Sequence, residues 1–319
     1  MSERELARLD DRPEYVQFSS ALSEADYRLL GEWSREHPNK TLRAYGSYDG
    51  SITDLDFLRW FPMLKRFQVD VYELDNIDGL HYLPDDLEVL ALGATRRRLS
   101  LQPISRFHGL RRLFLEGHAK GIDVVARLTT LADLTLRSIT LPSLELLQPL
   151  RQLQALDLKL GGTKNLDLLA TMGRIRYLEL WQVRGLDDIT ATAELPDLEY
   201  LFLQSLRRVE RLPDFSRSNA LKRVWLENMK GLSDLTNLAT APALEHLAVV
   251  DMPHLAPEDL RPLLDCPALR SARVGLGSDK KNRRAREILG NVIDHGSDVW
   301  DPAPYRADVR APAGSRVSP

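Results

Sequence analysis

The sequence predicts an α/β solenoid, in which short repeats stack and each repeat adds one strand to a parallel sheet. The first observation is a motif, L-x-x-L-x-L, that recurs along most of the chain. The second is its spacing, because consecutive copies start 21 to 25 residues apart over ten successive intervals. The third is composition: 43% of the 319 residues are hydrophobic and 28% are charged, as in ordinary folded domains.

The first residue of each motif is numbered position 1 of its repeat. The eleven copies start at residues 42, 64, 87, 110, 131, 153, 175, 198, 221, 244 and 269. Positions 4 and 6 are two residues apart, which is strand alternation, so they point into the core while positions 3, 5 and 7 point to the opposite face. The rest of each repeat shows helical spacing in some copies and extended or single-turn character in others. This predicts a parallel sheet on the concave face and short helices, 3-10 turns and loops on the convex face.

The period and the strand motif resemble those of the leucine-rich-repeat family over roughly residues 42–276. Segments such as residues 221–235 resemble the irregular intracellular or bacterial type, and the chain departs from the family in lacking the asparagine that often follows the strand. That position, three residues after the last strand leucine, holds Tyr72, Thr95, His118, Ile139, Gly161, Val183, Leu206, Met229 and Met252. We therefore expect apolar packing to stabilise this turn, at least in the second half of the chain.

A solenoid must cover the exposed core at its two ends. Residues 23–36 are predicted to form an amphipathic capping helix with Ser23 as N-cap, within an N-terminal region of residues 1–41. The solenoid of about eleven repeats follows over residues 42–276. Residues 277–300 are predicted to hold a C-terminal capping helix, with helical spacing over 279–294. Residues 301–319 are rich in Pro, Ala, Arg and Ser and are predicted to be a disordered tail.

Aromatic residues concentrate at positions 3, 5 and 7 of three consecutive repeats. Five of the nine residues there are aromatic, whereas the chain as a whole is 7% aromatic. With one residue from the next repeat, the predicted protein-binding patch consists of Tyr177, Glu179, Trp181, Tyr200, Phe202, Gln204, Arg223, Trp225, Glu227 and His246. Exposed aromatic patches mark interaction sites. The same pattern is compatible with aromatic stacking that only stabilises the sheet, and with coverage of the patch by the C-terminal cap or tail.

Two basic clusters provide a second candidate surface. Residues 96–98 are three consecutive arginines, and residues 280–286 contain five basic side chains. Arginine clusters bind phosphate, but basic side chains are equally common on a solvated surface. A phosphate or nucleic-acid binder therefore stays an alternative function, and the net charge of -3 gives it no general support.

The seven histidines are scattered, and no metal-binding or nucleophile motif is found, so we expect no enzyme, cofactor or metal. One cysteine, Cys266, precludes an internal disulfide, and no signal peptide or apolar membrane span is predicted. These features favour a cytoplasmic protein. The expected function is binding of a protein partner through the concave aromatic surface, by analogy as a bacterial partner, inhibitor or immunity-type protein. The alternative within protein binding is an adaptor or regulatory subunit of an enzyme complex.

Overall fold

The structure, a computed structural model, describes residues 15–172, 174–290, 292 and 298–306. Its strands are parallel and follow one another in sequence order in one sheet. The strands are β1 Tyr15–Phe18, β2 Thr41–Tyr45, β3 Arg66–Asp70, β4 Val89–Leu92, β5 Arg112–Glu116, β6 Asp133–Arg137, β7 Ala155–Lys159, β8 Tyr177–Trp181, β9 Tyr200–Gln204, β10 Arg223–Glu227, β11 His246–Val250 and β12 Ser271–Val274. The predicted class, a leucine-rich-repeat solenoid with one strand per repeat, is confirmed.

Two α-helices are described: α1, Glu24–Glu36, and α2, Asp279–Leu289. Between the strands the chain returns through 3-10 helices. These are Asp56–Trp60, Asp78–Tyr82, Gln102–Arg106, Ile122–Arg127, Glu145–Leu147, Asp167–Thr171, Thr190–Glu194, Thr236–Leu238 and Pro257–Asp265, with Asp298–Trp300 and Ala303–Tyr305 near the C-terminus. Most of these helices have three to six residues, as is usual for 3-10 helices, and Pro257–Asp265 is longer with nine.

The chain divides into two compact units. The first, up to Leu134, contains β1 to β5 and α1; the second, Thr135–Arg306, contains β7 to β12 and α2. In each unit the core follows the predicted alternation. Leu113 and Leu115 of β5 and Leu178 and Leu180 of β8 are fully buried, as positions 4 and 6 should be.

Helix α1 begins where the sequence predicts. The Ser23 side chain accepts a hydrogen bond from the backbone N–H of Asp26, which satisfies one free donor of the first turn. The helical spacing of Leu29, Leu30 and Trp33 predicts that these three residues form the buried side of α1, and the structure differs from this. Tyr27 and Leu30 are buried, because Phe18 of β1 and Phe57 form an aromatic cluster with Tyr27.

Strand β1 was not predicted, and the first repeat was predicted in the wrong register. The motif places Leu42 at position 1, but Leu42 pairs with Phe67, which occupies position 4 of its repeat. The first repeat therefore begins three residues earlier along the chain than predicted. The reason is that Ala44, a small residue that the motif does not count, is the second inward residue of β2 and is fully buried.

The turns after β6 to β11 share a backbone conformation. Ser138, Leu160, Gln182, Ser205, Asn228 and Asp251, each directly after a strand, have φ between 51° and 56°. In the first five of these turns, the backbone N–H donates to a carbonyl of the next repeat, for example from Gln182 to the carbonyl of Gln204 at 2.8 Å. The apolar packing predicted for the turn is confirmed in this half, since Leu206, Met229 and Met252 are buried. In the first unit, buried His118 instead donates from Nε2 to the Gly93 carbonyl at 2.9 Å, and burial lowers its pKa.

Helix α2 starts at the N-cap Ser278 and is shorter than the predicted span 279–294. It ends at Gly290, whose φ of 59° breaks the helical path. Ala285 and Leu289 form its buried side. The tail predicted as disordered from residue 301 differs in its first six residues, because Asp301–Arg306 includes a 3-10 helix with Tyr305 buried. The rest of that tail lies outside the described residues, and the domain boundaries stay predictions.

Candidate functional site: the outer sheet face of β7 to β11

The structure brings the ten predicted patch residues together on one face of the sheet. We call this side, which carries positions 3, 5 and 7, the outer face. Position 3 forms a row of Tyr177, Tyr200, Arg223 and His246; position 5 a row of Glu179, Phe202, Trp225 and Ala248; position 7 a row of Trp181, Gln204, Glu227 and Val250. Neighbouring strands lie about 4.8 Å apart, so each row is continuous.

The expectation that all these residues face solvent is wrong for three of them. Tyr177 and Tyr200 are each 2% exposed and Glu179 is 8% exposed. Their strand positions are as predicted, so their backbone is not the cause. Tyr177 and Tyr200 are buried because another part of the chain lies on them, which agrees with the alternative of coverage by the C-terminal cap or tail.

That part is residues 298–306, here called the C-terminal segment. Its Trp300, 8% exposed, packs edge-on against Trp225 at 5.0 Å between ring centroids and also contacts Tyr200 and His246. Tyr305, 5% exposed, packs edge-on against Tyr200 at 5.7 Å. The two aromatic side chains of the segment therefore cover the position 3 row across β9 to β11.

Polar contacts fix the backbone of the segment. Arg223 donates from Nε to the Val299 carbonyl at 2.9 Å, and it also donates to the Tyr305 hydroxyl. The Tyr200 hydroxyl donates to the Trp300 carbonyl at 3.4 Å. Arg223 also lies over the Tyr305 ring, 5.4 Å from its centroid. These contacts come from side chains, and none of them uses the strand backbone of the sheet.

The segment ends on a buried carboxylate of β7. Arg306 donates from Nη2 to both carboxylate oxygens of Asp157, at 3.1 and 2.8 Å. The Asp157 side chain is 1% exposed, and Thr135 donates to it at 2.6 Å. The Arg306 guanidinium also lies over the Tyr177 ring, 4.9 Å from the centroid. A guanidinium thus meets a carboxylate and an aromatic face at one place, an arrangement well suited to arginine.

Glu179 belongs to the same polar cluster. Lys159 lies 2.8 Å from its carboxylate, and the Tyr177 hydroxyl donates to it at 2.9 Å. Burial raises the pKa of Glu179, and the nearby Asp157 carboxylate raises it further, whereas Lys159 lowers it. Burial also raises the pKa of Tyr177 and of Tyr200.

Part of the outer face remains accessible. Phe202 and Trp225 stack at 5.6 Å and are half-buried, as is Trp181. Glu227 accepts from the Trp225 indole at 2.9 Å and from Gln204 at 2.7 Å, which fixes these side chains beside one another. The outer face therefore has a covered row at position 3 and an open row at position 7.

Sequence reasoning missed five residues of this site: Asp157, Lys159, Trp300, Tyr305 and Arg306. Asp157 and Lys159 are positions 5 and 7 of the repeat that precedes the aromatic ones, so the repeat numbering would have found them. Trp300 is the last residue of the predicted C-terminal cap, and Tyr305 is a large aromatic residue near the start of the region predicted to be disordered. Their presence there was a signal against disorder.

The basic clusters are engaged in local ion pairs. Arg96 lies 3.4 Å from Glu73 and Arg97 lies 3.4 Å from Asp75. Lys281 donates to backbone carbonyls, and Arg284 contacts both Glu258 and Glu287. The acidic residues that the sequence places before residues 96–98 thus neutralise part of that cluster.

Three further features bear on function. Cys266 is buried, which raises the pKa of its thiol to about 11. Among the described residues, no group of three or more His, Cys, Asp or Glu side chains is placed to hold a metal ion. Within the same residues, neither α-helix is long and apolar enough to cross a bilayer.

The fold and the repeat geometry define a leucine-rich-repeat solenoid. No family model matches the sequence, and no curated protein matches it. Among solved structures the chain is similar to an internalin (inlF) from Listeria monocytogenes, with a TM-score of 0.56 and 16% identity over 93% of this chain and 90% of that one. This likeness shows the leucine-rich-repeat fold.

Two other internalins of the same organism also match. For internalin C2 (inlC2) the TM-score is 0.39 and the identity 19%, covering 77% of this chain and 82% of that one. For the functional domain of InlJ the TM-score is 0.44 and the identity 14%, covering 74% of this chain and 58% of that one.

Proposed function

We propose that this chain is a non-enzymatic module that binds a protein partner through the outer face of β8 to β11. The observation that carries the proposal is the concentration of aromatic side chains there, on a surface that already holds a peptide segment. Tyr, Trp and Arg contribute most of the energy of protein interfaces, and all three types are present in these rows. Function is thus assigned from the site, since the solenoid fold hosts many functions.

The accessible residues give the surface its specificity. Phe202 and Trp225 offer a stacked apolar pair, and Glu227 and Gln204 beside them are fixed by hydrogen bonds. A rigid, preorganised surface loses little conformational entropy when a partner binds. We expect an apolar side chain of the partner on the stacked rings and a donor group on the Glu227 carboxylate.

The polar cluster of Asp157, Lys159 and Glu179 is the arrangement that most resembles a catalytic site, since burial raises the pKa of Glu179. Its charges are engaged with one another and with Arg306, and the C-terminal segment covers it. Binding therefore accounts for the cluster better than catalysis does. An adaptor or regulatory subunit of an enzyme complex would use the same surface, and co-purification with a catalytic subunit would identify that role.

Binding of phosphate or nucleic acid through the basic clusters is less favoured, because Arg96, Arg97 and Arg284 are already paired with carboxylates. Such binding would weaken steeply with salt. Retention on heparin that falls with salt and is lost on charge reversal at residues 96–98 would support it. A cytoplasmic location and a bacterial partner or immunity role belong to this proposal, and their support comes from the sequence alone.

The test is site-specific photo-crosslinking in cells that make the protein. A photoreactive phenylalanine analogue at position 202 should capture one protein. The same analogue at position 48 should capture none, because Tyr48 lies in the other unit, on the turn after β2. Tyr48 is 94% exposed, so poor access would not explain a missing crosslink there. Capture at 202 should fall in a Trp225→Ala background that keeps its circular dichroism spectrum. Equal capture at both positions, or none at 202, would refute the proposal.

A further inference from the structure

The C-terminal segment lies on the proposed binding surface in the manner of a bound peptide. Along the chain it crosses from β11 to β7, with Trp300 beside His246 and Trp225, Tyr305 beside Tyr200, and Arg306 on Asp157. It is held by two aromatic anchors, one arginine and hydrogen bonds to backbone carbonyls. These are the features of peptide recognition by a preformed surface.

The repeats do not need the segment for their own backbone hydrogen bonds. Its described contacts with β7 to β11 involve side chains of those strands, while the strands pair with one another through their own backbone. Removing it would therefore leave the sheet's ladder complete. The segment is also separate in sequence, because eight residues lie between Leu289, the last residue of α2, and Asp298.

The fit leaves one group of the segment unsatisfied. The indole Nε1 of Trp300 is buried and has no hydrogen-bond partner among the described residues. A buried donor without an acceptor weakens binding relative to a ligand that supplies one. The segment is thus held by a good but incomplete match, which a competing ligand can improve upon.

The side chains that the segment now contacts determine which chemical groups a competing ligand must supply. Asp157 is 1% exposed, and its other cation, Lys159, lies 3.9 Å away and pairs more closely with Glu179, so an occupant that replaces Arg306 should supply a cation. Tyr200 and Trp225 must be covered by aromatic or similarly large apolar side chains. The spacing in the segment is tryptophan, four intervening residues, then tyrosine and arginine.

Building on the proposed function, we propose that residues 298–306 are an internal ligand, and that the partner presents a peptide of the same chemistry, with an aromatic anchor followed by an adjacent aromatic–arginine pair. Partner binding then requires displacement of the segment. The arginine subsite, formed by Asp157, Thr135 and Tyr177, adds a requirement for arginine to the specificity that the accessible residues provide.

The experiment uses the full chain with Trp300→Ala, Tyr305→Ala and Arg306→Ala together, the released variant. A fluorescently labelled synthetic peptide of residues 298–306 is titrated into it and into the wild-type chain, and anisotropy is recorded. The peptide should bind the released variant at least about tenfold more tightly than wild type, because the attached segment competes with it. An arginine-to-alanine peptide should bind the released variant about tenfold more weakly.

The arginine subsite has its own control. Asp157→Asn in the released variant should weaken binding of the original peptide about tenfold and leave binding of the arginine-to-alanine peptide unchanged. Absence of peptide binding to a folded released variant would overturn the inference and make the segment structural cover. If the released variant does not fold, the segment is part of the core, and the inference is also overturned.

Failure of this inference can be told apart from failure of the proposed function. Crosslinking from position 202 reports on the partner alone. A partner captured equally well by the wild-type and released chains would keep the proposed function and reject the internal ligand. A wild-type chain that dimerises with concentration, and whose dimer dissociates on addition of the peptide, would place a second copy's segment in the site and would overturn it too.

Discussion

Replacement of Arg306 by Met is expected to destabilise the fold, because it leaves the buried Asp157 carboxylate without its nearest cation. The two carboxylate oxygens lie 3.1 and 2.8 Å from the guanidinium, and the Asp157 side chain is 1% exposed. Removing one partner of a buried pair costs about 3–5 kcal/mol. Arg306 is itself 21% exposed, and Thr135 still donates to the carboxylate. We therefore expect a loss of about 2 kcal/mol, below that range.

A double-mutant cycle separates the pair from the packing of the arginine stem. Asp157→Asn alone should also destabilise the fold, since it removes the charge that Arg306 neutralises. The double variant leaves no unpaired charge at this place, so its loss should be smaller than the sum of the single losses. The coupling free energy is expected to be about 1–2 kcal/mol.

Urea unfolding at neutral pH, followed by circular dichroism and tryptophan fluorescence, measures these free energies of unfolding. Arg284→Met is the matched control, because Arg284 and its partners are about half exposed and an exposed pair contributes little. Additive losses within about 0.5 kcal/mol for Arg306 and Asp157 would show that the segment is not seated on β7.

Three further predictions concern burial and backbone geometry. The pKa of Glu179 is raised by burial, so the folded state holds its proton more tightly than the unfolded state does. The free energy of unfolding should therefore fall as pH rises from the ordinary glutamate pKa through the raised one. Glu179→Gln should flatten that part of a plot of urea midpoint against pH. An unchanged slope in the variant would contradict this. Cys266 is buried with a pKa of about 11, and a thiol reagent at about pH 8 should label it only in urea; rapid labelling of the native chain would count against the packing. A Cβ at Gly161 would overlap the backbone carbonyl oxygen of Ile139 in the neighbouring repeat, whereas one at Gly117 (φ +76°) meets open space. Gly161→Ala should therefore cost about 3 kcal/mol and Gly117→Ala about 1 kcal/mol, measured by thermal unfolding; equal losses would remove the steric argument.

The repeat pattern was sufficient to predict most of the fold. Each motif fixes two inward residues per strand, and a parallel stack of equal repeats leaves little choice of topology. The pattern failed at the N-terminus, where Leu42 and Ala44 carry the inward positions and Ala44 is too small to register as part of a leucine motif. Strand β1 was missed for a related reason, because its two buried residues, Val16 and Phe18, precede a helix rather than a repeat.

The candidate site could be predicted in position, whereas its exposure was left open between a free patch and one covered by the C-terminal cap or tail. Strand alternation places Tyr177 and Tyr200 on the outer face whatever else the chain does. Whether that face meets solvent depends on contacts between residues about a hundred positions apart, such as Tyr200 with Trp300. Local sequence rules carry no information at that separation, and composition favoured disorder for the region that supplies Tyr305 and Arg306.

The division of the outer face into a covered and an open row determines how the two proposals depend on each other. A partner that used only the open row, at Trp181 and Glu227, would leave Trp300 in place and would be insensitive to the released variant. A partner that used the position 3 row must exclude Trp300 from Tyr200, since both cannot contact the same ring. Substitution of Trp181 therefore reports on recognition alone, whereas substitution of Trp300 reports on access. Substitution of Trp300 is expected to raise partner affinity, and substitution of Trp181 to lower it. If the gain is larger than the loss, displacement of the segment controls binding more than the open row does.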